Sequence, residues 1–92
     1  MHRFLEEAME LAQAIGCSSE DAHRLVHYVF SRPIGRPEVE VGGVMVTLAA
    51  LCAAAGIDMN NAADRELDRN WARIDAIRRK QANKPVQSPL PQ

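Results

Sequence analysis

Aromatic side chains are scarce in this chain: one Trp, one Tyr and two Phe, 4% of the sequence. The aromatics that a nucleic-acid-binding helical module interleaves with its basic residues are therefore lacking. Cysteine is almost as sparse. Cys17 and Cys52 stand far apart with no CxxC or other metal-ligand spacing, which removes a disulfide framework and a zinc ribbon and points to a reduced, cytoplasmic protein. Charge of one sign is missing too. A formal net charge of -1 gives no global case for nucleic acid or an anionic membrane as partner. The start of the chain, Met1-His2-Arg3 followed by carboxylates, lacks the basic, apolar and small-residue order of a secretory signal. The one long uncharged stretch, Val41 to Ile57, is slightly short for a bilayer span and is rich in Gly, Ala and Val, so a buried central helix is expected there.

What remains is a globular balance. With 92 residues, 47% hydrophobic and 25% charged, the chain supports one domain with a modest core, and association would help to stabilise it. Helical periodicity dominates. Phe4, Leu5, Ala8, Leu11, Ala12 and Ile15 share one face of a first helix that Gly16 stops. Ser18 and Asp21 form a capping-box-like start to a second helix carrying Ala22, Leu25, Val26 and Val29 and ending near Ser31. Arg32-Pro33-Ile34-Gly35-Arg36-Pro37 cannot continue a helix and reads as a connection.

A third helix is expected from about Glu38 to Ala55, apolar almost all round, with Gly56 at its end. Asp58 can cap a fourth, whose stripe of Ala63, Leu67, Asn70, Ile74 and Ile77 runs to near Arg79, with Trp71 at its border. No strand-period alternation exceeds Val39-Glu40-Val41, and no whole unit repeats. Residues 1–84 thus read as an all-α domain and 85–92 as a Pro-rich C-terminal tail, either free or laid over a neighbouring subunit. The third helix has more apolar faces than three neighbours can cover, so a homodimer or homotetramer is expected.

Several residues suggest chemistry. Glu7 and Glu10 lie one turn apart beside the apolar stripe of the first helix. Two carboxylates so placed repel unless a cation intervenes, which suggests a hard-metal site. Exposed glutamates are also ordinary solubilising residues of an amphipathic helix. Glu40 heads the most apolar helix, where N-terminal helix electrostatics alone could explain it. Asn70 interrupts an apolar stripe, either as a ligand contact or as a polar residue fixing register. Acids dominate up to Glu40, whereas Arg69, Arg73, Arg78, Arg79, Lys80 and Lys84 load the last third and could face phosphates. His23 and His27, at i and i+4 with Glu20 one turn earlier, have a spacing that transition metals accept, but no further His or Cys is tied to them.

Taken together, Glu7-x-x-Glu10, Glu40 after a spacer, Leu48-Ala49-Ala50-Leu51, Gly56-Ile57-Asp58 and an Arg-rich helix holding Asn70 resemble the MazG-type nucleoside triphosphate pyrophosphohydrolases. The resemblance covers about residues 3 to 80 and follows that family's ExxE…ExxD order. It implies a four-helix, all-α MazG-like bundle assembled as a homo-oligomer. It also implies magnesium-dependent hydrolysis of nucleoside triphosphates to the monophosphate and pyrophosphate. By position, Glu7, Glu10 and Glu40 would be the catalytic and metal-binding carboxylates, and Asn70, Arg69 and Arg73 would meet the nucleotide. The aspartate of ExxD is replaced by Gly43. Glu66, on the face of Asn70, is the candidate substitute ligand. The competing reading is a non-catalytic MazG-like nucleotide sensor or oligomeric scaffold that has lost a metal ligand; a nucleic-acid-binding helical module ranks behind both.

Overall fold

The computed structural model describes residues 1–83 and is all-α, with four helices and no strand among them: α1 His2–Ala14, α2 Ser19–Phe30, α3 Pro37–Ala55 and α4 Met59–Ala82. The expected tail, 85–92, lies outside the described residues. Each expected helix is present, with ends moved by a few residues for local reasons. Helix α3 begins at Pro37 rather than Glu38, because proline at the first helical position sacrifices an N–H that would be unpaired anyway. Helix α4 continues to Ala82, where Arg79 and Lys80 suit the negative end of the helix dipole.

The turns between α1 and α2 and between α3 and α4 are built alike. After α1, Gly16 adopts φ 102°; its N–H donates to the Gln13 carbonyl at 3.1 Å and the Cys17 N–H to that of Ala12 at 2.9 Å. After α3, Gly56 adopts φ 70°; its N–H donates to Ala53 at 3.4 Å and the Ile57 N–H to Cys52 at 2.9 Å. Both are Schellman closures, which need a left-handed residue and so favour glycine. The next residue but one then caps the following helix. Ser18 Oγ accepts from the Asp21 N–H at 3.1 Å and Asp58 Oδ1 from the Asn61 N–H at 3.0 Å, satisfying orphan donors of the first turn. A helix–Gly–x–cap–helix connection thus occurs twice, a likeness that the dissimilar strings Gly-Cys-Ser and Gly-Ile-Asp conceal.

The chain divides into two compact units inside α3, Met1–Val39 and the segment from Glu40 onward. In neither unit do two helices pack along their length. Among the described residues only Cys52 is buried. The apolar stripes found in the sequence are real but uncovered: Phe4 and Leu5 of α1, Leu25 and Val29 of α2 and Leu67 and Trp71 of α4 are all more than half exposed. The largest departure from expectation concerns α3. It was expected to be a buried central helix, yet Val41, Met45 and Val46 are each about two-thirds exposed. Apolar residues surround its whole circumference, so no face is reserved for water. Its 19 residues, with a mean hydropathy of 1.6, make it long and apolar enough to cross a membrane by length and composition, at about 28 Å along the axis.

Candidate functional site

Glu7, Glu10, Glu40 and Glu66 all sit on helices, and their surroundings differ. Glu7 is one turn along α1 from Arg3, with Oε1 3.4 Å from the guanidinium Nε. Both side chains are well exposed, so the pair adds only a few tenths of a kcal/mol to helix stability. Glu10 has no ion pair or hydrogen bond among the described residues and lines a groove. Glu40, the fourth residue of α3, is exposed and likewise has no such partner there.

Glu66 is held by the residue expected to meet the nucleotide. Arg69 Nη2 donates to Glu66 Oε2 at 2.6 Å and Arg69 Nε to the same oxygen at 3.2 Å. The carboxylate proposed as a substitute metal ligand and the cation proposed for phosphate therefore neutralise each other in this chain. Asn70 is half-buried and Arg73 exposed, on the same helix. Among the described residues, no group of three or more His, Cys, Asp or Glu side chains is assembled that could hold a metal ion. In chemistry the glutamates fit magnesium, being hard oxygen donors, two of them without a neutralising partner among the described residues. In number, no such cluster forms among the described residues.

The groove belongs wholly to the first unit, where α1 turns into α2, and has a volume of about 380 Å³. Met9, Ala12 and Ala22 contribute its apolar lining, while Glu6, Glu10, Gln13, Ser19 and His23 contribute polar groups. It takes in Glu10 and leaves out Glu7. His23 Nδ1 lies 2.6 Å from the Ser19 carbonyl oxygen; a carbonyl can only accept, so Nδ1 is the donor in this bond. This bond accounts for His23 as a helix-anchored side chain without any metal. The groove went unread in the sequence, although Glu6, Glu10 and Gln13 recur at i, i+4 and i+7 just ahead of the Gly16 turn. That spacing marks a polar flank aimed at the head of the next helix.

One carboxyl departs from its ordinary value. The Glu38 pKa is lowered, first by its own backbone N–H in the unpaired first turn of α3 and then by Arg36, whose Nη2 and Nε donate to Oε1 at 2.7 and 3.0 Å. This arrangement closes the proline-bracketed connection onto the head of α3, two residues before Glu40. No family model, no curated protein and no solved structure matches this chain.

Proposed function

We propose that this chain is a magnesium-dependent nucleoside triphosphate pyrophosphohydrolase of MazG-like type, working as a homo-oligomeric helical bundle in the cytoplasm. The observation that supports this most is the carboxylate pattern laid out on helices: Glu7 and Glu10 one turn apart on α1, Glu40 at the head of α3, and Glu10 and Glu40 without neutralising partners among the described residues. When bound, magnesium offsets the charge of the phosphate chain. Glu7, Glu10 and Glu40 would hold it, with Glu66 as the replacement for the missing aspartate once Arg69 turns to phosphate instead. One of these carboxylates orients a water and accepts its proton. The water oxygen forms a bond to the α-phosphorus while the bond from that phosphorus to the bridging oxygen breaks, and the electron pair leaves with pyrophosphate. Arg69 and Arg73 stabilise the negative charge on the phosphates, and Asn70 positions the nucleoside.

The second reading, a non-catalytic nucleotide sensor or oligomeric scaffold, rests on Gly43 in place of the ExxD aspartate. The two separate cleanly. Magnesium-dependent pyrophosphate release from a panel of nucleoside triphosphates is expected from the purified protein, and Glu40→Gln should abolish it. Gly43→Asp should leave release unchanged or increase magnesium affinity, since a Cβ at this position meets no atom within 4 Å. Nucleotide binding without release, unaffected by Glu40→Gln, would establish the sensor. Neither binding nor release would leave the glutamates as a solvated helix face and remove the enzyme reading.

A further inference from the structure

The polar side of α4 is sorted by the sign of its charges. Successive residues of an α-helix turn by about 100°, so Arg65, Arg69, Arg73 and Lys80 fall within an arc of about 80°. All four are exposed. Asp64, Asp68 and Asp75 fall in a second arc of about 40°, centred about 120° from the first. The remaining sector carries the apolar stripe of Leu67, Ile74 and Ile77.

Sorting of this kind works against the helix. Like charges four residues apart repel, as in Arg65–Arg69, Arg69–Arg73 and Asp64–Asp68, whereas opposite charges at that spacing attract. A helix that had only to stay in water would interleave the two signs, as α2 does where Arg24 meets both Glu20 and Asp21. On α4, Asp75 has Arg78 and Arg79 three and four residues further on, yet among the described residues no ion pair joins it to either. Arg65, Arg73 and Lys80 likewise have no side-chain hydrogen bond or ion pair among the described residues. Arg69 donates to Glu66. That pair is exposed, its side chains 61% and 52% accessible, so exchanging the carboxylate for another anion costs little. A row of cations gathered at the expense of helix stability is offset by an anion laid along it.

The spacing defines that anion. Each step of four residues rises about 6 Å, which spreads Arg65, Arg69 and Arg73 over about 12 Å of helix. A single phosphate meets one or two guanidinium groups; a phosphate chain, with charged oxygens on every unit, meets all three. We propose that Arg65 is a third phosphate-binding residue beside Arg69 and Arg73, and that the triphosphate lies lengthwise along this ridge, so that the length of the phosphate chain sets affinity. Arg65 then selects triphosphates over diphosphates and monophosphates. The inference rests on the nucleoside triphosphate substrate proposed above and adds to it a residue and a direction of binding. Lys80, about 22 Å along α4 from Arg65, is too distant to share a chain of three phosphates with it.

Isothermal titration calorimetry of the full chain with inorganic tripolyphosphate, pyrophosphate and phosphate, with EDTA present, reads the ridge without metal or nucleoside. At about 0.15 M salt, charges more than about 8 Å away are largely screened. Affinity should rise with each added phosphate. Arg65→Ala should weaken tripolyphosphate binding by about three- to fivefold, the loss of one exposed charge pair, and leave phosphate binding unchanged. Lys80→Ala and Arg78→Ala, the latter on the opposite side of α4, should leave tripolyphosphate binding unchanged. Alanine is the stronger helix former, so circular dichroism should show the helicity of each variant intact.

No loss from Arg65→Ala, or equal losses from all three variants, would overturn the inference, because a diffuse cationic surface does not read chain length. So would binding of a single-stranded oligonucleotide, weakened alike by Arg65→Ala and Lys80→Ala, in a chain that does not take up tripolyphosphate; the occupant would then be a nucleic-acid backbone. Pyrophosphate release with magnesium, assayed separately, tells this failure from that of the enzyme. Release with an unchanged KM in Arg65→Ala would remove the ridge and leave the hydrolase. Loss of tripolyphosphate affinity in Arg65→Ala, without release by the unaltered chain, would leave the ridge and remove the hydrolase.

Discussion

Helices α3 and α4 are consecutive, capped and long, and they obtain their stability in opposite ways. Helix α4 is built for water: Asp58 caps its start, Glu66 and Arg69 pair across one turn, and Arg79 and Lys80 occupy its last turn. Each device is worth a few tenths to about 1 kcal/mol, and together they support the helix locally. Helix α3 has none of these along its length beyond the Glu38 carboxylate at its head. It carries two internal glycines and several β-branched valines, all poor helix formers. Its Thr47 hydroxyl bonds back to the helix, donating to the Gly43 carbonyl at 2.7 Å, a contact that needs no neighbour. Helix α4 thus carries its stabilising devices in its own sequence, whereas α3 presents apolar side chains around its circumference and has few such devices.

The largest expected effect breaks that contrast at α3. In one copy Val44 is 45% exposed, so Val44→Asp would be nearly neutral if the helix stayed in water. If a second copy covers it, burying the carboxylate costs roughly 3 kcal/mol or more, a fall of about 10 °C in melting temperature. Differential scanning fluorimetry with sedimentation velocity should show that fall together with loss of the assembly.

Next in size are the caps. Ser18→Ala and Asp58→Ala each remove one side-chain acceptor from equivalent turns and should each cost about 1 kcal/mol, read by urea denaturation. Equal losses would confirm that the two connections are energetically as well as geometrically alike. Gly42→Ala should stabilise α3 by about 0.5–1 kcal/mol, because a helix-interior glycine is costly and a Cβ there meets nothing within 4 Å. A fall in the melting midpoint would instead locate a close backbone approach by the second copy at this turn.

The smallest effect is at the head of α3. The Glu38 pKa is lowered in the folded chain by its backbone N–H and by Arg36, so its contribution is present above the ordinary carboxylate range and is lost as pH falls through the lower folded value. Glu38→Gln should therefore remove a slight dependence of helicity on pH at the acid end and leave neutral stability almost unchanged, as measured by circular dichroism between pH 2 and 7, a range spanning about that titration.

Much of the fold was legible because its determinants are local. Apolar spacing revealed all four helices, Gly16 and Gly56 their stops, and Ser18 and Asp58 their caps, since each acts within one turn of chain. The likeness of the two connections was not legible, because a Schellman closure rests on the left-handed glycine and on backbone N–H groups, which Cys17 and Ile57 supply alike. The candidate site was legible only as residue types. The pairing of Glu66 with Arg69 depends on side-chain placement, and the groove beside Glu10 depends on the angle that the Gly16 turn imposes.

From the sequence come the helical class of this protein, the place of each helix to within a few residues and the apolar circumference of α3. Those outcomes follow from hydrogen bonding and solvation within a few residues. The structure adds that, among the described residues, the apolar side chains stay largely exposed and no group of three or more His, Cys, Asp or Glu is gathered that could hold a metal. Burial and convergence are long-range properties, set by which helices meet rather than by spacing within one of them, so local periodicity does not report them.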